Sequence, residues 1–287
     1  MDRDILSVIK TASGSLSKGQ KKIMKYILEN YDKAAFMTAA KLGETVGVSE
    51  STVVRFAAEL GYKGYPEMRK ALQDMIRSSL TSVQRIAVAR NLMEQNDIIS
   101  AVLSSDIEQI RRTMDETNRN DFGKAVNAII SAKNIYIIGM RSASPLASFL
   151  GFYFHMIFDN VRVVNENLTN DIFEQVLRIT QGDVLIAVSF PRYSQRTVKT
   201  ASFARDMGAS VIGITDTEAS PLAQISDISL YARSDMVSFI DSLVAPLSLI
   251  NALIVAASAR VQADLPTNFE RLERIWAEYE VYKTTDV

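Results

Sequence analysis

At 287 residues the chain is too long for one typical domain and suits two, and 47% hydrophobic with 23% charged residues is an ordinary globular balance. It contains no cysteine, which excludes disulfides, thiolate metal sites and a cysteine nucleophile and fits a cytoplasmic protein. The net charge of −1 hides an asymmetry: residues 1–78 carry 13 Lys and Arg against 9 Asp and Glu, a net of +4, and the remainder carries 19 against 24, a net of −5. A basic small module joined to an acidic larger one is the distribution expected where the first meets nucleic acid.

The opening MDRDILSVIK carries acids and lacks a long apolar core, so no signal peptide is expected. From Leu16 to Tyr31 the pattern predicts a helix capped by Ser17 that buries Ile23, Ile27 and Leu28. Thr38–Val46 and Glu50–Leu60 then read as two short helices around Gly47-Val48-Ser49, the arrangement of a helix-turn-helix. Ser49 is placed to cap the second helix, which leaves Ser49, Glu50, Ser51, Thr52 and Arg55 at the N-terminal face that such motifs insert into the major groove. Small hydroxyls permit close approach, and Arg55 can pair with phosphate or guanine. In the following GYKGYP loop, Lys63 and Tyr65 are further candidates for contact with DNA. The competing reading is a small helical bundle with a solvated polar face, in which Arg55 pairs with Glu59.

Residues 79–120 hold no Pro or Gly and read as a helical linker. Ile99, Leu103, Ile107, Ile110 and Met114 recur at helical steps and line one face. Packing of that face on the chain's own domain is the favoured reading, with an intersubunit coil as the alternative.

From residue 121 to 287, strands alternate with helices. Residues 134–139, 161–164, 183–189, 210–215 and 228–231 are short, apolar and β-rich. Helical stretches over 144–158, 171–179 and 195–207 lie between them. Continuous apolar strands separated by helices predict an α/β domain with a doubly wound parallel sheet of about five strands, flavodoxin-like and covered on both faces. The apolar run 243–257 is interrupted by Pro246, Ser248 and Asn251, so no membrane span is expected. Asn251 calls for a buried partner, His155 for a helix side facing the sheet, and Trp276, Tyr279 and Tyr282 for core or dimer packing.

Two strand-to-helix loops are suited to chemistry. Gly139-Met140-Arg141-Ser142-Ala143-Ser144 follows the first strand, and Ser189-Phe190-Pro191-Arg192-Tyr193-Ser194 follows the third. Hydroxyls and backbone N–H groups at a helix N-terminus suit an anion. Loops after neighbouring parallel strands converge where open α/β sheets bind ligands. Neither GxGxxG nor GxxxxGK[ST] occurs, so a dinucleotide or nucleoside triphosphate has no support. No cofactor or metal is expected.

The run AAKLGETVGVSESTVVRFAAELGYKGYPEMRKAL resembles the N-terminal domain of RpiR/MurR-type transcriptional regulators, and the likeness extends over nearly the whole chain. It implies residues 1–78 as an all-α DNA-binding domain, 79–120 as the linker and 121–287 as a sugar isomerase (SIS) domain. By that resemblance Ser142, Ser144, Ser189 and Ser194 fall on ligand-binding positions, and the effector is a small anionic metabolite such as a sugar phosphate. The pattern departs from the family at two places. Arg141 stands where a second Gly is frequent, and Pro191 and Arg192 replace the Ser and Gly of the usual Ser-x-Ser-Gly-x-Thr loop. Arg141 and Arg192 therefore join the candidates, since two guanidiniums supply bidentate anion contacts.

The function expected is operator-DNA binding controlled by that effector, in a homodimer or higher oligomer matching a palindromic site. A SIS-type sugar phosphate isomerase is the alternative. Isomerisation needs a base, and neither loop supplies a Glu or His, although Glu166 and Glu218 lie near strand ends. A phosphosugar-binding protein that regulates another protein leaves the basic N-terminal module unexplained.

Overall fold

The computed structural model describes residues 5–14, 16–76, 85, 97–165, 171–236, 240–261 and 265–281. Glu166, Tyr282 and, apart from Arg85, linker residues 79–96 lie outside this set. The chain forms two compact units, residues 1–98 with 238–240, and residues 99–237 with 241–287.

The first unit consists of helices α1 (Ile5–Thr11), α2 (Lys18–Glu29), α3 (Tyr31–Ala34), α4 (Ala39–Val46), α5 (Glu50–Glu59) and α6 (Tyr65–Ile76). A capping box starts α2: the Ser17 hydroxyl accepts the Gln20 N–H, and the Gln20 side chain accepts the Ser17 N–H. Ile23, Ile27, Leu42, Val53, Phe56, Met68 and Leu72 are fully buried and make the core. Gly43 sets the approach of α4 and α5, because a Cβ there would lie 2.8 Å from the Val48 carbonyl oxygen.

The second unit opens with α7 (Ile98–Glu116) and α8 (Arg119–Ile130). Then come β1 (Ile135–Gly139), α9 (Ser144–Ile157), β2 (Val161–Val164), α10 (Ile172–Gln175), β3 (Val184–Val188), α11 (Gln195–Asp206), β4 (Ser210–Thr215), β5 (Ile228–Tyr231), α12 (Val244–Ser258) and α13 (Leu265–Glu278). The five strands are parallel in the order β2-β1-β3-β4-β5. Alternate residues face opposite ways. Ile135, Ile137, Ile186, Val188, Ile212 and Ile214 pack under α8, α9 and α12. Tyr136, Ile138, Leu185, Ala187 and Val211 pack under α10 and α11. Strands buried on both faces explain the unbroken apolar runs.

Three expectations are corrected. The helix expected over 171–179 is the single turn α10, capped by Asp171. Asn251 needs no buried partner, because it is on the exposed face of α12, whose opposite face buries Leu249, Ile250 and Leu253. His155 is exposed, with Nδ1 hydrogen-bonded to the Gly151 carbonyl at 2.6 Å. Among the described residues, no helix is long and apolar enough to cross a membrane.

The linker face also departs from expectation. It is the polar side of α7 that packs on its own unit: Gln109 and Thr113 are buried, while Ile99, Leu103, Ile107, Ile110 and Met114 are exposed.

Candidate functional site

The sheet order reverses direction between β1 and β3, since β2 lies outside β1 while β4 and β5 lie outside β3. At such a switch point the loops leaving the two strands separate and open a crevice beyond their carboxyl ends. Gly139 pairs with Val188 at the last register position, so the two loops start level. A cavity of about 170 Å³ lies there, lined by Met140, Arg141, Ser142, Ala143, Ser189, Phe190, Pro191, Arg192, Ser194 and Asp241. Five of the six expected ligand residues are thus brought together. Ser144 is not part of the wall; it is half-buried as the first residue of α9.

Each loop is built tightly. A Cβ at Gly139 would lie 2.6 Å from the Ala143 carbonyl oxygen, so the first loop can fold back on the strand end only over a glycine. In the second, the Ser189 hydroxyl accepts the Ser194 N–H at 3.3 Å, which leaves its own hydrogen to donate. Ser194 caps α11 by accepting the Thr197 N–H. Tyr193 donates to Asp216 at 2.9 Å, anchoring the loop to the end of β4. Arg141 and Arg192 have φ of 56° and 61°, the left-handed region that glycine favours. They occupy the positions where glycine was expected, so the glycine backbone persists while each position gains a guanidinium.

Asp241 was not singled out by the sequence, because it lies far downstream and outside any motif. It enters the wall from the segment that precedes α12. The neighbouring Ser242 donates to Asp106 of α7 at 2.6 Å. The same helix holds residues 233–235: the Asp235 N–H donates to the Gln109 side chain at 2.6 Å, and the Arg233 N–H donates to Thr113 at 2.8 Å. Arg112 pairs with Asp235 at 3.4 Å, and Arg233 pairs with Glu116. Cavity wall and α7 are therefore joined through adjacent residues. Among the described residues no cluster of His, Cys, Asp or Glu could hold a metal. Glu218 is exposed and is not part of the cavity wall.

In the first unit, Ser49 caps α5 by accepting the Thr52 N–H at 3.3 Å, and its hydroxyl lies 2.9 Å from those of Ser51 and Thr52. Glu50, Ser51 and Arg55 are exposed, and Thr52 is half-buried. No ion pair joins Arg55 to Glu59 among the described residues, and Lys63 is exposed beyond the helix. Tyr65 is the exception. Its side chain is buried, its hydroxyl donates to the Met37 carbonyl at 2.9 Å, and burial pushes its pKa up from 10.0 to about 12 against a smaller lowering by Arg69. Tyr65 holds α6 to the bundle, so its side chain is not on the exposed face with Arg55 and Lys63, where it was expected.

Comparison with known proteins matches residues 3–79 to the helix-turn-helix domain of the rpiR family and residues 128–256 to the SIS domain. The HTH-type transcriptional regulator HexR of Pseudomonas aeruginosa is 25% identical over 277 residues, spanning 94% of this chain and 95% of that protein. The sugar isomerase domain of an RpiR transcription factor from Sphaerobacter thermophilus superposes with a TM-score of 0.57 at 25% identity, covering 62% of this chain and 98% of that one. The Vibrio vulnificus NanR protein, solved complexed with ManNAc-6P, covers 96% of this chain and 98% of its own at 23% identity, with a TM-score of 0.58.

Proposed function

This chain belongs to the RpiR-type transcriptional regulators, a helix-turn-helix domain joined to a SIS domain, and from that premise we propose that a sugar phosphate held between its two serine loops controls its binding to operator DNA. The observation that carries this reading is the convergence of Ser142, Ser189, Ser194, Arg141 and Arg192 on one cavity at the sheet's switch point. Hydroxyls, guanidiniums and the N-terminal ends of α9 and α11 all favour an anion there. That the NanR protein was solved with ManNAc-6P supports a phosphorylated sugar as the effector class. Ser49, Glu50, Ser51, Thr52, Arg55 and Lys63 form the DNA-reading face, with the protein cytoplasmic and at least dimeric on a two-fold symmetric site.

Regulation is favoured over isomerisation by the make-up of the wall. Asp241 is its one carboxylate, and no histidine accompanies it. Moving a proton between adjacent carbons would fall to that group alone. An aldose phosphate assay should therefore give no turnover on the order of 1 s⁻¹ or above.

The test is a thermal-shift panel of hexose and amino-sugar phosphates, N-acetylmannosamine 6-phosphate among them, followed by operator footprinting with the compound that stabilises most. Thr52→Ala and Arg55→Ala should each weaken specific binding by about 1–3 kcal/mol. If no phosphate ester stabilises the protein, or the stabilising one leaves operator occupancy unchanged, the reading fails.

A further inference from the structure

The helix α7 is amphipathic in the reverse of the usual sense. Its polar side chains are buried against its own unit: Gln109 is 2% and Thr113 6% exposed, and both are hydrogen-bonded to backbone of residues 233–235. Its large apolar side chains stand in solvent, with Ile99 73%, Leu103 56%, Ile107 66%, Ile110 37% and Met114 56% exposed. A surface helix is ordinarily arranged the other way round. Five large apolar side chains, each more than a third exposed, thus follow one another along one helix face, the kind of contiguous apolar patch that marks an interaction surface.

We propose that this strip is the seat for the same strip on a second copy of the chain. The spacing of its residues favours that occupant over an unrelated one. A two-fold axis between positions 106 and 107 sets Ile99 opposite Met114 and Leu103 opposite Ile110, with Ile107 beside the axis. The strip is therefore self-complementary, as a two-fold interface requires. Two such helices run antiparallel: four of the five apolar side chains meet an apolar register partner, and Ile107, whose register position falls on Asp106, meets its own symmetry mate across the axis.

The seat is also tied to the anion cavity. Asp106 borders the strip and accepts from Ser242, whose neighbour Asp241 lines the cavity. A sugar phosphate that repositions Asp241 acts on the helix that joins the two copies. The inference rests on the dimeric regulator reading above and names its surface.

The absence of cysteine from the chain makes the test direct. In Ile107→Cys the sole thiol lies beside its symmetry mate, within reach of a disulfide. Mild oxidation should convert most of this variant to a covalent dimer, while Glu108→Cys, exposed on the next face, should cross-link less than a tenth as much. In sedimentation, Leu103→Glu with Ile107→Glu should raise the dimer dissociation constant at least 100-fold. These positions are exposed in the single chain, so circular dichroism should match wild type, and the thermal midpoint should fall by no more than the weakened dimer accounts for. A dimer that survives the double change, or an Ile107→Cys variant that does not cross-link, overturns the seat and leaves the regulator reading standing. A wild type that is monomeric at concentrations where it footprints DNA overturns both. A monomer whose strip instead binds lipid vesicles also overturns the seat.

Discussion

Replacing Arg141 by Gly separates what this residue does for the loop from what it does for the ligand. With φ at 56°, Arg141 holds a conformation that costs an L-residue roughly 1–2 kcal/mol. Glycine adopts it freely but loses about 0.5–1 kcal/mol more conformational entropy on folding. The Arg141 side chain is exposed and makes no hydrogen bond or ion pair among the described residues, so its removal sacrifices no native contact. The hydrogen bond from the Ser144 N–H to the Arg141 backbone carbonyl survives in glycine. Arg141→Gly should therefore leave the stability of the ligand-free SIS unit unchanged or raise it by up to about 1 kcal/mol, a shift of roughly 2–4 °C or less. A guanidinium hydrogen-bonded to an anion contributes about 1.5–3 kcal/mol, so affinity for the sugar phosphate should fall by about 10- to 150-fold. Calorimetric melting without ligand and isothermal titration with the most stabilising sugar phosphate measure the two effects separately. A variant less stable by more than about 1 kcal/mol would refute the strain argument. Unaltered affinity would refute the anion contact.

Ser189→Ala combined with Ser142→Ala should leave operator affinity without effector nearly intact and abolish the response to it, as read by footprinting with and without the sugar phosphate. Ser242→Ala removes the link from the cavity wall to Asp106; sugar phosphate affinity should stay within a few-fold of wild type, while its effect on operator affinity, typically worth about 1–3 kcal/mol, shrinks. Tyr65 has a folded pKa near 12 against 10.0, so the folded state favours the neutral phenol and its contribution is complete below pH 10. As pH rises from 10 towards 12, that contribution, on the order of 2–3 kcal/mol, is lost. Tyr65→Phe should flatten that alkaline slope in denaturant titrations of the first unit, at a cost of about 1 kcal/mol near neutral pH for the hydrogen bond to Met37.

Much of this molecule is local, and what is local was legible in the sequence. The Ser49 cap, the Gly47 turn and the α5 pattern lie within a dozen residues, and each depends on backbone groups next to it in the chain. The five strands were readable because burial on both faces demands unbroken apolar runs, and the observed bounds fall within a residue of those expected. The two serine loops followed from strand-to-helix connection, and their convergence follows from parallel strands placed side by side. The glycine-like backbone at Arg141 and Arg192 was not readable from residue type, because arginine disfavours it; the surrounding loop closure imposes it.

Tertiary structure decided the rest. Tyr65 looked like a loop aromatic available to DNA, yet packing turned it onto the Met37 carbonyl, a partner well upstream in the chain. Asp241 joins the cavity because the fold brings it beside the loops after β1 and β3, which lie far away in sequence. Periodicity revealed the apolar face of α7 but could not reveal which face its own unit would take. That choice went to Gln109 and Thr113 because the backbone of residues 233–235 presents N–H groups that must be satisfied once buried, and a polar helix face satisfies them while an apolar one cannot.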